Sequence, residues 1–175
     1  VALALQPTLS NFFAGTYLVS DAVIVPGEFI QLENGFQGFV VDVGWRSTRI
    51  RTAFNNLVVI PNARLADTIL TNYDAPSQNI GVLVEGGVSY SSDLTHVERV
   101  SQEVARQIVQ ELPEAVSSFD PWFGFEKFGD SNIDFWVWIE AKNRAGSFAL
   151  KTELIKRLHK RFNDEGIEIN YPVRK

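Results

Sequence analysis

The chain contains no cysteine, which excludes disulfides, thiolate metal sites and cysteine nucleophiles. It contains no methionine either, not even at position 1. Histidine is scarce: His96 and His159 are the two present. Both fall on the polar side of predicted helices, where a solvated imidazole is the ordinary outcome. No phosphate loop is present. Gly86-Gly87 and Gly35-x-x-Gly38 fit neither GxxxxGK[ST] nor GxGxxG spacing. A basic excess is also missing. Sixteen Lys and Arg against 21 Asp and Glu leave a net charge of −5, which argues against a nucleic-acid surface. The late basic run, Lys151 to Arg161, needs no more than the dipole at a helix end. There is no internal repeat and no low-complexity segment.

What is present begins with an apolar opening. VALALQPTLSNFFAGTYLVSD carries no charge before Asp21. It is studded with Gln6, Pro7, Thr8, Ser10, Asn11, Gly15 and Thr16, each of which needs a partner in hydrocarbon. Ala2, Ala4, Ala14 and Gly15 allow close helix approach. Pro7 removes a backbone donor and invites a kink after Gln6. The stretch reads as the cytoplasmic end of a helix lining a watery path. An amphipathic surface helix or a core helix fits the same periodicity. An opening in mid-run suggests a piece of a longer polypeptide. If the missing part spans a membrane, residues 1–20 are the tail of its last span, since a full span takes roughly 20 apolar residues.

With 45% hydrophobic and 21% charged residues the chain is expected to fold. After Pro26-Gly27 a run of short strands is predicted: Phe29 to Leu32, Gly38 to Trp45, Ser47 to Thr52, Leu57 to Ile60 and Thr68 to Tyr73. Asn34-Gly35 and Asn55-Asn56 supply turns. A single helical turn is expected at Ala63-Arg64-Leu65. This spacing belongs to a small barrel or sandwich. Asp74 to Ser77 reads as a linker. Beyond it comes strand Ile80 to Tyr90, then a helix capped by Ser91 or Ser92 with a stripe of Leu94, Val97, Val100, Val104, Ile108 and Leu112. Strands Trp122 to Phe128 and Ile133 to Ala141 follow. A second helix is capped by Ser147 and buries Leu154 or Ile155, Leu158 and Phe162. Gly166 is placed for a left-handed C-cap, and Ile167 to Ile169 for a last strand. Strand, helix, strand, strand, helix, strand is the ferredoxin-like α+β order.

Chemistry is hard to find. Glu126, Asp130, Asp134 and Glu140 offer a carboxylate pair, but alternation puts such residues on a solvated face by default. Trp45-Arg46 with Arg49 and Arg51 places basic and aromatic residues near one strand, which cross-strand pairing explains. The aromatics Trp122 to Phe128 and Phe135 to Trp138 divide between a core and an outward face that suits a neighbouring subunit. Nothing implies an enzyme, a cofactor or a metal.

Several blocks carry a family resemblance: Ala4-Leu5-Gln6, Leu9-Ser10-Asn11 and Gly15; Pro26-Gly27-Glu28-Phe29-Ile30; Gly44 to Thr52; Leu57-Val58-Val59-Ile60-Pro61-Asn62 with Leu65; and Gly166 to Pro172. The chain resembles the small-conductance mechanosensitive channel family (MscS-like) over almost its whole length. The resemblance implies a pore-helix end at 1–22, an Sm-like β domain at 23–74 and a ferredoxin-like domain at 75–175. It implies a homoheptamer in an inner membrane, with these domains cytoplasmic and the parent protein multi-pass. Its partners would be copies of itself, the bilayer and permeating ions and osmolytes, with release on hypoosmotic shock. By the same resemblance Leu3 is a gate leucine, Gln6 and Pro7 the kink, and Asn11 and Gly15 the coupling of pore helix to β domain. Pro7 stands where glycine is common, Ala22-Val23-Ile24 replaces a basic stretch, and Phe54 replaces an aspartate. A C-terminal barrel is expected to be truncated or absent after Lys175. The competing reading is a soluble, ring-forming Sm-like RNA-binding protein.

Overall fold

The computed structural model describes residues 2–169, and side chains from residue 5 onward. The chain divides into two compact units, Val1–Ser77 and Gln78–Lys175.

The first unit opens with helix α1, Ala2–Ser20, which runs through Pro7. A sheet follows: β1 (Phe29–Leu32), β2 (Gln37–Val43), β3 (Ser47–Arg51), β4 (Leu57–Pro61) and β5 (Leu70–Asn72). Helix α2, Asn62–Ala66, sits between β4 and β5. The sheet is antiparallel throughout, in the order β4-β3-β2-β1-β5. Alternation makes it half-apolar: β3 reads Thr48 and Ile50 inward, Ser47, Arg49 and Arg51 toward solvent. Val40 and Ile50 lie directly opposite each other, both buried. Ile24, Ile30, Leu32 and Leu65 complete that core with Leu18 from the end of α1. The turns are where Asn-Gly and Asn-Asn place them, with Gly35 at φ +82° and Asn55 at φ +62°. β4 differs from its reading. Its apolar run suggests a covered strand, yet Leu57 and Val59 are each 56% exposed, because alternation and register set them beside Arg51 and Arg49 on the open face of the sheet.

In the second unit β6 (Ile80–Val88), β7 (Trp122–Phe128) and β8 (Ile133–Ala141) form an antiparallel sheet in the order β6-β8-β7. Helices α3 (Leu94–Glu111) and α4 (Arg144–Asp164) cover one face. The α3 stripe is as predicted, with Val97, Val100, Val104 and Ile108 buried. On α4 the buried row is Leu150, Leu154, Leu158 and Phe162, while Ile155 is exposed. The caps correct the reading. Asp93, not Ser91 or Ser92, accepts from the Thr95 and His96 amides at 3.0 and 3.3 Å. Asn143, not Ser147, accepts from Gly146 N at 2.8 Å. Both are short acceptors one residue before the first helical turn, where the free amides point. Gly166 takes the left-handed conformation, φ +67°. The expected last strand is represented by one backbone bond, Ser89 N to Glu168 O at 2.9 Å. It places this segment beside β6, at the position a fourth ferredoxin-like strand takes, although no strand is formed there among the described residues.

Candidate functional site

The most organised polar site in the first unit is the seat of α1. Among its described side chains, helix α1 buries one narrow row, Asn11, Gly15 and Leu18, spaced by four and three residues. Its other faces stay open, with Leu5, Leu9, Phe12, Phe13 and Tyr17 between 48% and 65% exposed.

The row meets the start of α2. Pro61 is the residue before that helix and has no side chain to cap it. The free amide of Ala63 is taken instead by Asn11 Oδ1, at 3.0 Å. Asn11 thus caps a helix from another element, while its Nδ2 donates to Pro7 O at 2.8 Å within α1. Next to Ala63 stands Asn62, which has no exposed surface. Its Nδ2 donates to Gly44 O at 2.8 Å and to Asn11 O at 3.4 Å. Its Oδ1 accepts from Thr48 Oγ1 at 2.9 Å, and its backbone amide donates to Arg46 O at 3.0 Å. One side chain joins α1, the β2–β3 turn and β3. A buried amide is stable only when so fully partnered.

Gly15 makes the approach possible. A Cβ there would stand 2.5 Å from Asn62 Nδ2, 3.2 Å from Gly44 O and 3.3 Å from Trp45 O. Two of those three are backbone and cannot turn aside. Asn11 and Gly15, both singled out in the sequence, are therefore brought to one place. Asn62 was not singled out as a site residue. The signal was there: a helical turn preceded by proline needs its cap from elsewhere.

Gln6 and Pro7 lie on α1 above this seat, and Gln6 is exposed. Leu3 belongs to the first turn of α1, and its side chain lies outside the described residues. The basic cluster is engaged locally. Arg49 forms an ion pair with Asp42, and its hydrogen bonds hold the Asp42 carboxyl below the usual carboxylate range. Arg51 lies 5.5 Å over the Phe39 ring. In the second unit Asp134 accepts from Asn132 Nδ2 at 2.5 Å and lies 3.8 Å from Lys127 Nζ. His96 Nε2 is 3.4 Å from a Glu165 carboxylate oxygen, and His159 is exposed. Among the described residues no group of three or more His, Cys, Asp or Glu could hold a metal ion. Among them, too, no helix is long and apolar enough to cross a membrane.

Comparison with known proteins agrees with this architecture. The family model of the mechanosensitive ion channel β-domain matches residues 7–75. That of the MscS C-terminal domain matches residues 82–169. The chain belongs to the MscS family of mechanosensitive ion channels. The small-conductance mechanosensitive channel MscMJ of Methanocaldococcus jannaschii is 29% identical over 175 residues, which is 99% of this chain and 49% of that protein. The large-conductance channel MscMJLR of the same organism is 32% identical over 179 residues, 99% of this chain and 48% of its own length. The crystal structure of Helicobacter pylori MscS in its closed state superposes with a TM-score of 0.87 at 26% identity. It covers all of this chain and 67% of the other. The chain thus spans about half the length of these curated relatives. Within the MscS family the first unit is the β domain with its leading helix, and the second is the C-terminal α+β domain.

Proposed function

We propose that this chain is the pore-helix end, Sm-like β domain and vestibule domain of a channel opened by membrane tension. The observation that carries the reading is the seat of α1: a helix with open apolar faces is fastened to the β domain by Asn11, Gly15 and Asn62. Tension that moves the pore helices then acts against a fixed lower anchor. Residues 1–22 line the pore, 23–74 form the ring beneath it, and 75–175 wall a cytoplasmic vestibule. The parent protein sits in an inner membrane as a homoheptamer, and it releases ions and small osmolytes on hypoosmotic shock.

Two features support assembly of copies. The stripe Leu5, Leu9, Phe13 and Tyr17 repeats every four residues and is exposed, as a helix packed on its own copies requires. Edge strand β4 turns Leu57 and Val59 outward, and such an edge is a template for another chain. In this reading Leu3 is the gate. A ring of leucines narrows a pore until water leaves it, which stops ions without a plug. Gln6 and Pro7 mark the bend between pore and seat, and Asn11 and Gly15 transmit motion across it. The RNA-binding alternative loses ground, because Arg49 and Arg51 are occupied within the sheet.

The test is patch-clamp recording of the full-length protein in liposomes under a suction ramp. Stepwise currents above a threshold tension are expected, and Leu3→Ser lowers that threshold because a hydroxyl keeps the constriction wet. Silence up to membrane rupture, with protein in the bilayer, refutes tension gating. An unchanged threshold in the variant removes Leu3 from the gate.

A further inference from the structure

Five polar side chains of α3 and α4 close on one another in a circuit. On α3, His96, Arg99 and Glu103 are spaced by three and four residues and share one face. On α4, Arg161 and Glu165 stand one turn apart. Arg99 Nη2 meets His96 Nδ1 at 2.9 Å, and its Nη1 donates to Glu103 Oε1 at 2.8 Å. Glu103 Oε2 accepts from Arg161 Nη2 at 3.1 Å, and Arg161 Nε donates to Glu165 Oε1 at 2.8 Å. Glu165 Oε2 returns to His96, 3.4 Å from Nε2. No atom of the circuit serves two of these links.

The partners fix the state of the imidazole. A guanidinium only donates, and it keeps its proton in proteins. His96 Nδ1 therefore accepts from Arg99, and the proton of the neutral ring sits on Nε2, toward Glu165. With the ring neutral, two cations meet two anions and the circuit carries no net charge. An imidazole is also the one side chain of the five that ordinarily changes charge between about pH 5 and 8.

Protonation breaks one link and strengthens another. A proton on Nδ1 sets donor against donor, and Arg99 must leave. It has somewhere to go, because its side chain is 54% exposed and Glu103 already holds Nη1. On the other side the charged ring faces a carboxylate. That pair is more sheltered, with side chains 30% and 29% exposed, so its attraction is less screened. From α3 the imidazole also has Asp93 nearby, whose Oδ1 accepts from the His96 amide at 3.3 Å. The Asp93 charge offsets the positive start of the helix. From α4 come Glu165 and, through it, Arg161. Among the described residues no other charged side chain pairs with His96.

Glu165 stands where the chain leaves α4, as the C-cap residue of that helix. Gly166 then turns the chain, Ile167 N donates to Phe162 O at 2.8 Å, and Glu168 O takes the Ser89 amide beside β6. We propose that His96 is a proton-operated clamp on this end of α4. Neutral, the imidazole is shared with Arg99 and holds Glu165 loosely. Protonated, it releases Arg99 and grips Glu165 as an ion pair, so that acid fastens the turn from α4 toward β6. The clamp lies wholly within the second unit and works whether or not the parent protein opens under tension.

The test is hydrogen exchange of the full-length protein in detergent, read by mass spectrometry at about pH 8 and about pH 5.5, on either side of an ordinary imidazole titration. Rates are corrected for the intrinsic pH dependence of amide exchange. The Gly166 and Ile167 amides should exchange about two- to fivefold more slowly at the lower pH, as the worth of a partly exposed ion pair requires. Amides of β8 should keep their corrected rates. His96→Gln cannot take the proton and Glu165→Gln cannot pair with it, so each should abolish the difference. A wild-type protein without the difference, or a His96→Gln variant that retains it, overturns the clamp. Nitrogen chemical shifts of histidine-labelled protein give a second arm. The imidazole signal that vanishes in His96→Gln should report its proton on Nε2 at the higher pH. A proton on Nδ1 there removes the Arg99 link and refutes the exchange of partners.

Discussion

Helices α1 and α3 have nearly the same length, 19 and 18 residues, and are fastened by opposite means. α3 buries seven residues, five of them valine or isoleucine, under a mixed sheet-and-helix core. Among its described side chains α1 buries Asn11, Gly15 and Leu18, and two of those three contribute almost no apolar area. α3 is held by area removed from water, which is non-directional and tolerant of small shifts. α1 is held by a few directed bonds and a close contact, which fix one position and lose value steeply when geometry changes. A body of a domain needs the first kind of joint. A helix that transmits a displacement, the role proposed above for α1, needs the second.

The largest predicted effect breaks the apolar side of this comparison. Phe162 is 1% exposed and its ring lies 5.7 Å from that of Phe135, between α4 and the sheet. Phe162→Ala should cost about 3–5 kcal/mol of stability in urea unfolding. A cost below about 1 kcal/mol would mean that the second unit's core is not built as described.

Next comes the joint. Gly15→Ala places a methyl against Asn62 and two backbone carbonyls, at an expected cost of about 1–3 kcal/mol. The effect should be local. Hydrogen exchange at the Ala63 amide, protected by Asn11, should speed up while amides of β8 keep their rates. Uniform acceleration in both units would show that the seat is not a separate joint.

The two fastenings were not equally legible. The core of the second unit could be read because burial there follows period: valines at three and four on α3, alternation on β8. The turns were equally plain, since positive φ at Gly35, Asn55 and Gly166 leaves few residue choices. The ambiguity between Leu154 and Ile155 was settled only by packing, because both fit the spacing. The caps at Asp93 and Asn143 were read a residue or more away, since several short polar residues compete at each helix start. The seat of α1 was half legible. Asn11 and Gly15 stood out as polar and small residues in an apolar run. Asn62 did not, because its four partners come from segments that only the fold brings together.

The third prediction sharpens the comparison from the polar side. Asn11→Ala removes the acceptor for Ala63 N and leaves that amide without its cap. The expected cost is about 1 kcal/mol, the ordinary value of an N-cap. Asn11→Asp keeps the acceptor Oδ1 and should recover most of it. If aspartate is no better than alanine, the bond to Pro7 O and not the cap is what Asn11 supplies.

The smallest effect has the opposite sign and isolates what makes a buried polar group useful. Ser101 lies on the buried stripe of α3 with no exposed surface, as Asn62 does beside α1. Its hydroxyl has no hydrogen-bond partner, whereas every polar atom of the Asn62 side chain is bonded. An unpaired buried hydroxyl costs free energy, and alanine is also the better helix former. Ser101→Ala should therefore stabilise the chain by roughly 0.5–1 kcal/mol. Asn62→Ala, at equal burial, should destabilise it by about 1–3 kcal/mol, because Thr48 Oγ1 and Gly44 O lose their partner. Urea midpoints of the two variants should move in opposite directions. If both fall, Ser101 has a partner that matters; if both rise, the seat of α1 is held by shape and not by its bonds.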